Sequence, residues 1–331
     1  MEGRINWIDW AKAICIALVV MGHFNFNQSS FTYHSFIYAF HMPIFFLLSG
    51  YLHKTTPSFF DSLKKNIVSL IIPYIFFNIL TFLIFTLPLL LLGKITTLGL
   101  ETSFQQFLIG GSFTFAGPTW FLICLFNIKL ISCFILKLKI YLQIIISTVF
   151  PILALVIEAD LYFGLKPAFI SIPFFVIGFH LKQQKLIEKI KDQFSLEFTL
   201  FLTSFFLLVI GNNIQGRVDI YKGILGEYPW LFYINALIGC FMVIMLCRML
   251  NGIKSKFIRT ISSATIVILG LHIFINGYVY KFVAKFGILI YSEFQINLPV
   301  LILMTIAVIL ILYYPIIFLQ KYLPFFIGNR K

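Results

Sequence analysis

Ile8–His23, IDWAKAICIALVVMGH, and Phe40–Leu52, FHMPIFFLLSGYL, decide how this chain is read. Both stretches belong to apolar runs that suit a lipid bilayer, yet both carry polar groups that a lipid-facing helix would not tolerate. An ionisable group at bilayer depth is expensive, so it marks a site or an ion path. Helical geometry ties the first stretch together. His23 follows Lys12 by eleven residues, which at 100° per residue returns to within about 20° of the same face. Asp9 precedes Lys12 by three positions, a spacing that lets the two pair. Asp9, Lys12 and His23 therefore form one polar stripe, with Lys12 and His23 about 16 Å apart along the axis. An interfacial Asp9–Lys12 pair with His23 at the opposite headgroups is the bland alternative.

Composition extends this reading to the whole chain. Of 331 residues, 60% are hydrophobic and 11% charged, against about 25% charged in soluble domains. Ten apolar runs are expected to span the bilayer, at 8–27, 33–53, 67–93, 119–136, 140–158, 167–182, 196–213, 229–250, 262–281 and 297–320. The expectation is an all-α, polytopic integral membrane bundle of about ten transmembrane helices, with residues 1–331 forming a single domain. The third run is long enough to tilt or kink at Pro73 or Pro88. Asp9 and Lys12, and the lack of a small-residue cleavage site, argue against a cleavable signal peptide.

The net charge of +13 is topology signal. Arg4, Lys54, Lys64, Lys65, Lys137, Lys139 and the Lys182–Lys191 cluster fall on one side of the expected spans. Only Lys94, Lys166, Arg217, Lys222, Lys281 and Lys285 fall on the other. This asymmetry places both termini in the cytoplasm, N-in and C-in, and it argues against a nucleic-acid partner. Cys15, Cys124, Cys133, Cys240 and Cys247 all lie in apolar runs without metal-ligand spacing, so they read as core residues and no metal site is expected.

Three connections stand out. Lys182–Glu197 reads as a charged, helical cytoplasmic connector. Gly211–Tyr228 is a polar outer loop with Arg217, Asp219, Lys222 and Glu227, suited to face an external substrate. Within Thr96–Pro118, the segment Gly110–Pro118 (GGSFTFAGP) is too broken for a helix and too apolar for a free loop. A candidate re-entrant segment is therefore expected near 105–118. No internal repeat is visible, which weighs against the repeat-built transporter folds.

The second stretch adds His41, beside Met42-Pro43, entering from the same side as His23. Ser49-Gly50 suits either close helix packing or the approach of a ligand. His272, in Ser263–His272, lies mid-span, whereas His34, His53 and His180 fall near span ends. Lys64-Lys65 suits anionic lipid or a phosphorylated cofactor. A histidine of near-neutral pKa is the usual base for drawing a proton from an attacking hydroxyl. The pattern suits group transfer from a charged cytoplasmic donor to an acceptor reached from the membrane or outside. A transporter of a lipid-linked sugar or small organic anion is the competing class, with the stripe as its path. A noncatalytic scaffold would leave the stripe unexplained.

Asp9, Lys12 and Val19–His23, then Phe40–Pro43, then Phe46–Tyr51, resemble acyltransferase family 3, the multi-pass enzymes that O-acetylate bacterial surface polysaccharides. Gly117–Leu122 resembles the family's tryptophan-bearing fourth span, and Ser263–His272 its late serine-to-histidine span. Within the family the chain most resembles the fucose 4-O-acetylase-like branch. The resemblance implies acetyl-CoA as donor, a sugar hydroxyl of a polysaccharide or lipid-linked glycan as acceptor, and residence in the bacterial inner membrane. It implies His23 as the essential histidine, with Lys12 where many members carry arginine; the catalytic candidates are His23 and His41. Lys12, Lys64, Lys65 and Ser49 are the donor-binding candidates, and Asp9, Trp120 and His272 are expected to shape the site. No appended hydrolase-like domain is expected, so the resemblance implies transfer completed within the bundle.

Overall fold

The computed structural model describes residues 4–24, 33–55, 58–94, 97–112, 114–157, 161–287, 291–292 and 295–328. Residues 25–27, which would finish the expected first span, and Phe113 of the broken segment lie outside the described residues. In chain order the helices are α1 (Asn6–Gly22), α2 (Tyr33–Tyr38), α3 (His41–Tyr51), α4 (Phe59–Leu91), α5 (Thr97–Ile109), α6 (Trp120–Ile135) and α7 (Ile140–Val156). They continue as α8 (Leu165–Gln183), α9 (Phe194–Gln215), α10 (Pro229–Met249), α11 (Lys256–Ser263), α12 (Thr265–Lys285) and α13 (Leu298–Tyr322). Two small antiparallel hairpins complete the described chain. In one, β1 (Val218–Asp219) pairs with β2 (Ile224–Leu225); in the other, β3 (Tyr291–Ser292) pairs with β4 (Gln295–Ile296).

Among the described residues, seven helices are long and apolar enough to cross a membrane: α4, α8, α9, α10, α12, α13 and the Gly117–Ile135 stretch that contains α6. The protein is a multi-pass membrane protein. The other three expected spans correspond to shorter helices, α1 and α7 at 17 residues each and α3 at 11. The run expected at 33–53 is broken at Ala39-Phe40 into α2 and α3, so α3 begins with His41.

Packing is inverted relative to a soluble bundle. α1 is buried along most of its length, from Trp7 and Ile8 to Val19 and Val20, against α3, α10, α12 and α13. Large apolar side chains of α9 and α13, such as Phe206, Ile210, Leu303 and Tyr314, point outward. Exposed apolar faces of that extent fit a lipid surround. Near one end of the bundle α3 and α8 touch backbone to backbone. A methyl at Gly50 would overlap the Phe175 carbonyl, and one at Gly178 the Leu47 carbonyl. Small residues permit this approach, so Gly50 serves helix packing.

Proline shapes α4. Its turns widen to π geometry at Ile67–Ile71 and Phe82–Thr86. Those turns contain Ser69 and Ile84, the residues four before Pro73 and Pro88. A proline ring clashes with the carbonyl at that position, and a wider turn relieves it without ending the helix.

Two connections differ from expectation. Residues 97–109 form a helix, and among the described residues only 110–112 and 114–116 are irregular before the 3₁₀ turn Gly117–Thr119. Buried Asn78 of α4 holds that turn: its amide oxygen accepts from Ala116 N–H at 3.1 Å, and its Nδ2 donates to Thr119 Oγ1 at 3.1 Å. Irregular backbone at this depth needs such a partner. The connector after α8 is a series of turns rather than a helix. Arg248 of α10 donates to the carbonyls of Ile187 and Ile190 at 3.0 and 3.1 Å, groups that a helix would have used internally, and pairs with buried Glu197 at 2.7 Å. Beside them, Glu188 accepts from Tyr51 Oη–H at 2.7 Å and from Lys182 Nζ at 3.3 Å. Partial burial alone would raise the Glu188 pKa; those two hydrogen bonds outweigh it and hold it below the ordinary carboxylate value.

Candidate active site

His23 ends α1 as its C-terminal cap, one turn beyond Val19. It faces a cavity of about 290 Å³. Val19 forms the wall from α1, Tyr38, His41 and Met42 from α2 and α3, and Leu269 and Ile273 from α12. Gly117, Pro118 and Trp120 close it from the Asn78-held turn, and Asp219 and Tyr221 from the first hairpin region. The hairpin is anchored rather than draped, with Val218, Ile220 and Leu225 buried.

Carbonyl acceptors fix the histidine tautomers. His272 Nδ1 lies 2.8 Å from Ile268 O and 3.1 Å from Leu269 O. A carbonyl oxygen can only accept, so neutral His272 carries its proton on Nδ1 and has a bare Nε2. That Nε2 is 3.0 Å from His23 Nδ1. His23 Nδ1 is also 2.9 Å from Val19 O, so its proton is shared between Val19 O and His272. His23 Nε2 is then an unprotonated lone pair. By the same logic His41, with Nδ1 2.9 Å from Ile37 O, presents a bare Nε2 to the cavity. Asn276, one turn beyond His272, donates to Val20 O at 2.9 Å and fastens α12 to α1 at this level. The arrangement is an imidazole held in one tautomer by Val19 O, with a second histidine also accepting at its Nδ1, a geometry that suits general-base chemistry.

Aromatic rings line the remaining wall. Tyr38 stacks on His34 at 3.7 Å and approaches His41 at 4.6 Å between centroids, and Trp120 meets Tyr221 at 5.3 Å.

The other end of α1 is basic. Two contiguous cavities, of about 1160 and 420 Å³, share Lys12, Leu52, His53, Lys54, Ser262 and Ser263. The smaller one adds Ser49, Lys65 and Lys129. Among the described residues Lys12, Lys65 and Lys129 form no ion pair. Cations gathered at such a depth call for an anion.

The expected residues thus divide into two groups. His23, His41 and Trp120 line one cavity, with His272 hydrogen-bonded to His23. Lys12, Lys65 and Ser49 line the other. Lys64, one position from Lys65, is not among the residues lining either cavity. The expected Asp9–Lys12 pair does not form. Asp9 binds the guanidinium of Arg4 at 2.6 and 2.9 Å and accepts from Ser262 Oγ at 2.6 Å. Arg4 is free of the helix and offers a planar fork that suits a carboxylate, whereas Lys12 offers a single point charge directed into the cavity. Lys129 falls inside the apolar run expected at 119–136, and a lysine at such a place is its signal in the sequence. Tyr38 gave no signal. Asp219 was visible as part of the polar outer loop.

The family model described as an acyltransferase domain matches residues 5–315. The class is therefore that of multi-pass membrane acyltransferases, and the chain belongs to acyltransferase family 3. No curated protein and no solved structure matches the chain.

Proposed function

We propose that this protein is an O-acetyltransferase that moves an acetyl group from cytoplasmic acetyl-CoA to a sugar hydroxyl of a cell-surface polysaccharide or lipid-linked glycan. The branch is the fucose 4-O-acetylase-like one, and the setting is a bacterial inner membrane. The observation that carries the reading is the pairing of a tautomer-held histidine at one end of α1 with a cavity at the other where, among the described residues, Lys12, Lys65 and Lys129 form no ion pair. In this reading about ten spans put both termini and the lysine cavity at the cytoplasmic face; the basic residues flanking that cavity support this orientation.

Lys12, Lys65 and Lys129 hold the phosphates of coenzyme A, and its arm carries the thioester toward His23. An acceptor hydroxyl in the outer cavity gives its proton to His23 Nε2 as its oxygen attacks the thioester carbonyl carbon. The carbon–sulfur bond then breaks, and the proton passes from His23 to the departing thiolate. The products are an acetyl ester and free coenzyme A. His272 accepts from the Nδ1–H of the imidazolium formed in passing. His41 and Trp120 position the acceptor.

The test incubates purified protein with radiolabelled acetyl-CoA and host membranes, comparing wild type with His23→Ala. The expected result is label in a lipid-linked or polymeric glycan with wild type only, with acetyl-CoA binding retained by the variant. Near-normal transfer by His23→Ala overturns the mechanism. If neither protein binds acetyl-CoA nor transfers label, the reading gives way to a transporter, for which both cavities would form a path.

A further inference from the structure

The two cavities at opposite ends of α1 nearly meet. On α3, Met42 faces the histidine cavity and Phe45 the lysine cavity. On α12, Leu269 and Ile266 divide in the same way. Three residues of helix rise about 4.5 Å, so less than one helical turn separates the spaces on both helices. On α6 the division falls between neighbours, with Trp120 on one side and Phe121 on the other. The partition is aromatic. The Phe121 ring lies 5.9 Å from that of Phe45 and 5.0 Å from that of Phe46, between centroids.

A thioester carried on an arm held by the lysines has to cross this layer to meet His23. We infer that Phe45 and Phe121 determine which acyl group the enzyme accepts. They receive a two-carbon acyl group at the level of the partition, exclude longer or carboxylate-bearing ones, and keep water of the histidine cavity from the thioester. This inference rests on the acyl-CoA donor proposed above. A longer chain has to displace rings in a packed layer, and overpacking is unfavourable. A succinyl carboxylate carried through the layer would leave Lys12, Lys65 and Lys129 behind in the cavity that Phe45 and Phe121 line, and would enter one lined by Asp219. Removal of a ring opens a leak: water adds to the thioester carbonyl, the carbon–sulfur bond breaks, and the water's proton goes to the thiolate. Acetyl-CoA and water become acetate and coenzyme A with no further reactant.

The experiment uses the full-length protein in detergent and measures thiol release from acetyl-, butyryl-, hexanoyl- and succinyl-CoA, with and without glycan acceptor. Wild type is expected to favour acetyl over butyryl by about 100-fold, the scale on which a pocket discriminates one or two methylenes. Phe45→Ala and Phe121→Ala are expected to narrow that preference to within about tenfold and to raise acceptor-independent hydrolysis of acetyl-CoA. Where an alanine variant does not fold, Phe121→Leu is expected to show the same changes to a smaller degree. Unchanged chain-length profiles and unchanged hydrolysis in the folded variants overturn the inference, as does a wild type that uses succinyl-CoA as readily as acetyl-CoA. A wild type that releases thiol from no acyl-CoA overturns the donor reading itself, an outcome distinct from an unchanged profile.

Discussion

Replacing His272 with leucine removes the acceptor 3.0 Å from His23 Nδ1 while keeping similar bulk in a fully buried position. His23 Nδ1 retains Val19 O, so the resting tautomer survives. The loss is felt when His23 has taken the proton and becomes cationic, because the hydrogen bond to His272 is then charge-assisted. Hydrogen bonds to charged groups contribute about 1.5–3 kcal/mol. At 1.36 kcal/mol per factor of ten in rate, kcat should fall about 10- to 150-fold. The donor cavity lies beyond the aromatic partition, so the KM for acetyl-CoA should hold. Initial rates of acetyl transfer at varied acetyl-CoA separate the two quantities. His272→Gln, which restores an acceptor, should recover part of the rate. A loss smaller than threefold, or one confined to KM, would refute the argument that His272 acts through His23.

Other residues carry independent expectations. Gly50→Ala forces a methyl to within 2.8 Å of the Phe175 carbonyl carbon, and overpacking typically costs 1–3 kcal/mol. The thermal transition in detergent should fall by several degrees, whereas Gly252→Ala, with nothing within 4 Å, should leave it unchanged. Lys129→Met removes one of the three unpaired cations; acetyl-CoA binding should weaken about tenfold, the scale of one charge-assisted contact, with kcat preserved. Arg248→Met strands the buried Glu197 carboxylate, a change that costs about 3–5 kcal/mol, and should speed proteolysis between residues 184 and 193. Glu188, whose pKa is held low, contributes to closure of that connector above its ordinary value of about 4.3 and loses the contribution as pH falls through the depressed value. Hydrogen exchange in the connector should therefore rise, after correction for intrinsic rate, only on strong acidification, and the rise should be smaller in Tyr51→Phe, which keeps only the Lys182 contact.

The apolar runs, the basic asymmetry of the loops and the eleven-residue interval from Lys12 to His23 are local and one-dimensional. They were therefore readable in the chain itself, and with them the membrane class, the family resemblance and the assignment of a polar helix to the interior. A proline four residues beyond a carbonyl likewise announces a disturbed helix, as Pro73 and Pro88 do in α4. The partner of His23 was not readable in the same way. His272 lies 249 residues away, and only the packing of α12 against α1 brings its bare nitrogen to His23. Asp9 had two cations within reach, and the choice of Arg4 over Lys12 followed from Arg4 lying ahead of α1, where its planar fork meets the carboxylate, and from Ser262 arriving on α11. Lys129 joined Lys12 and Lys65 only because α6 runs antiparallel to α1 and α4. Periodicity gives each helix a face, but the neighbours that meet that face, and the competition among them for each charge and hydrogen bond, exist only once the helices are packed.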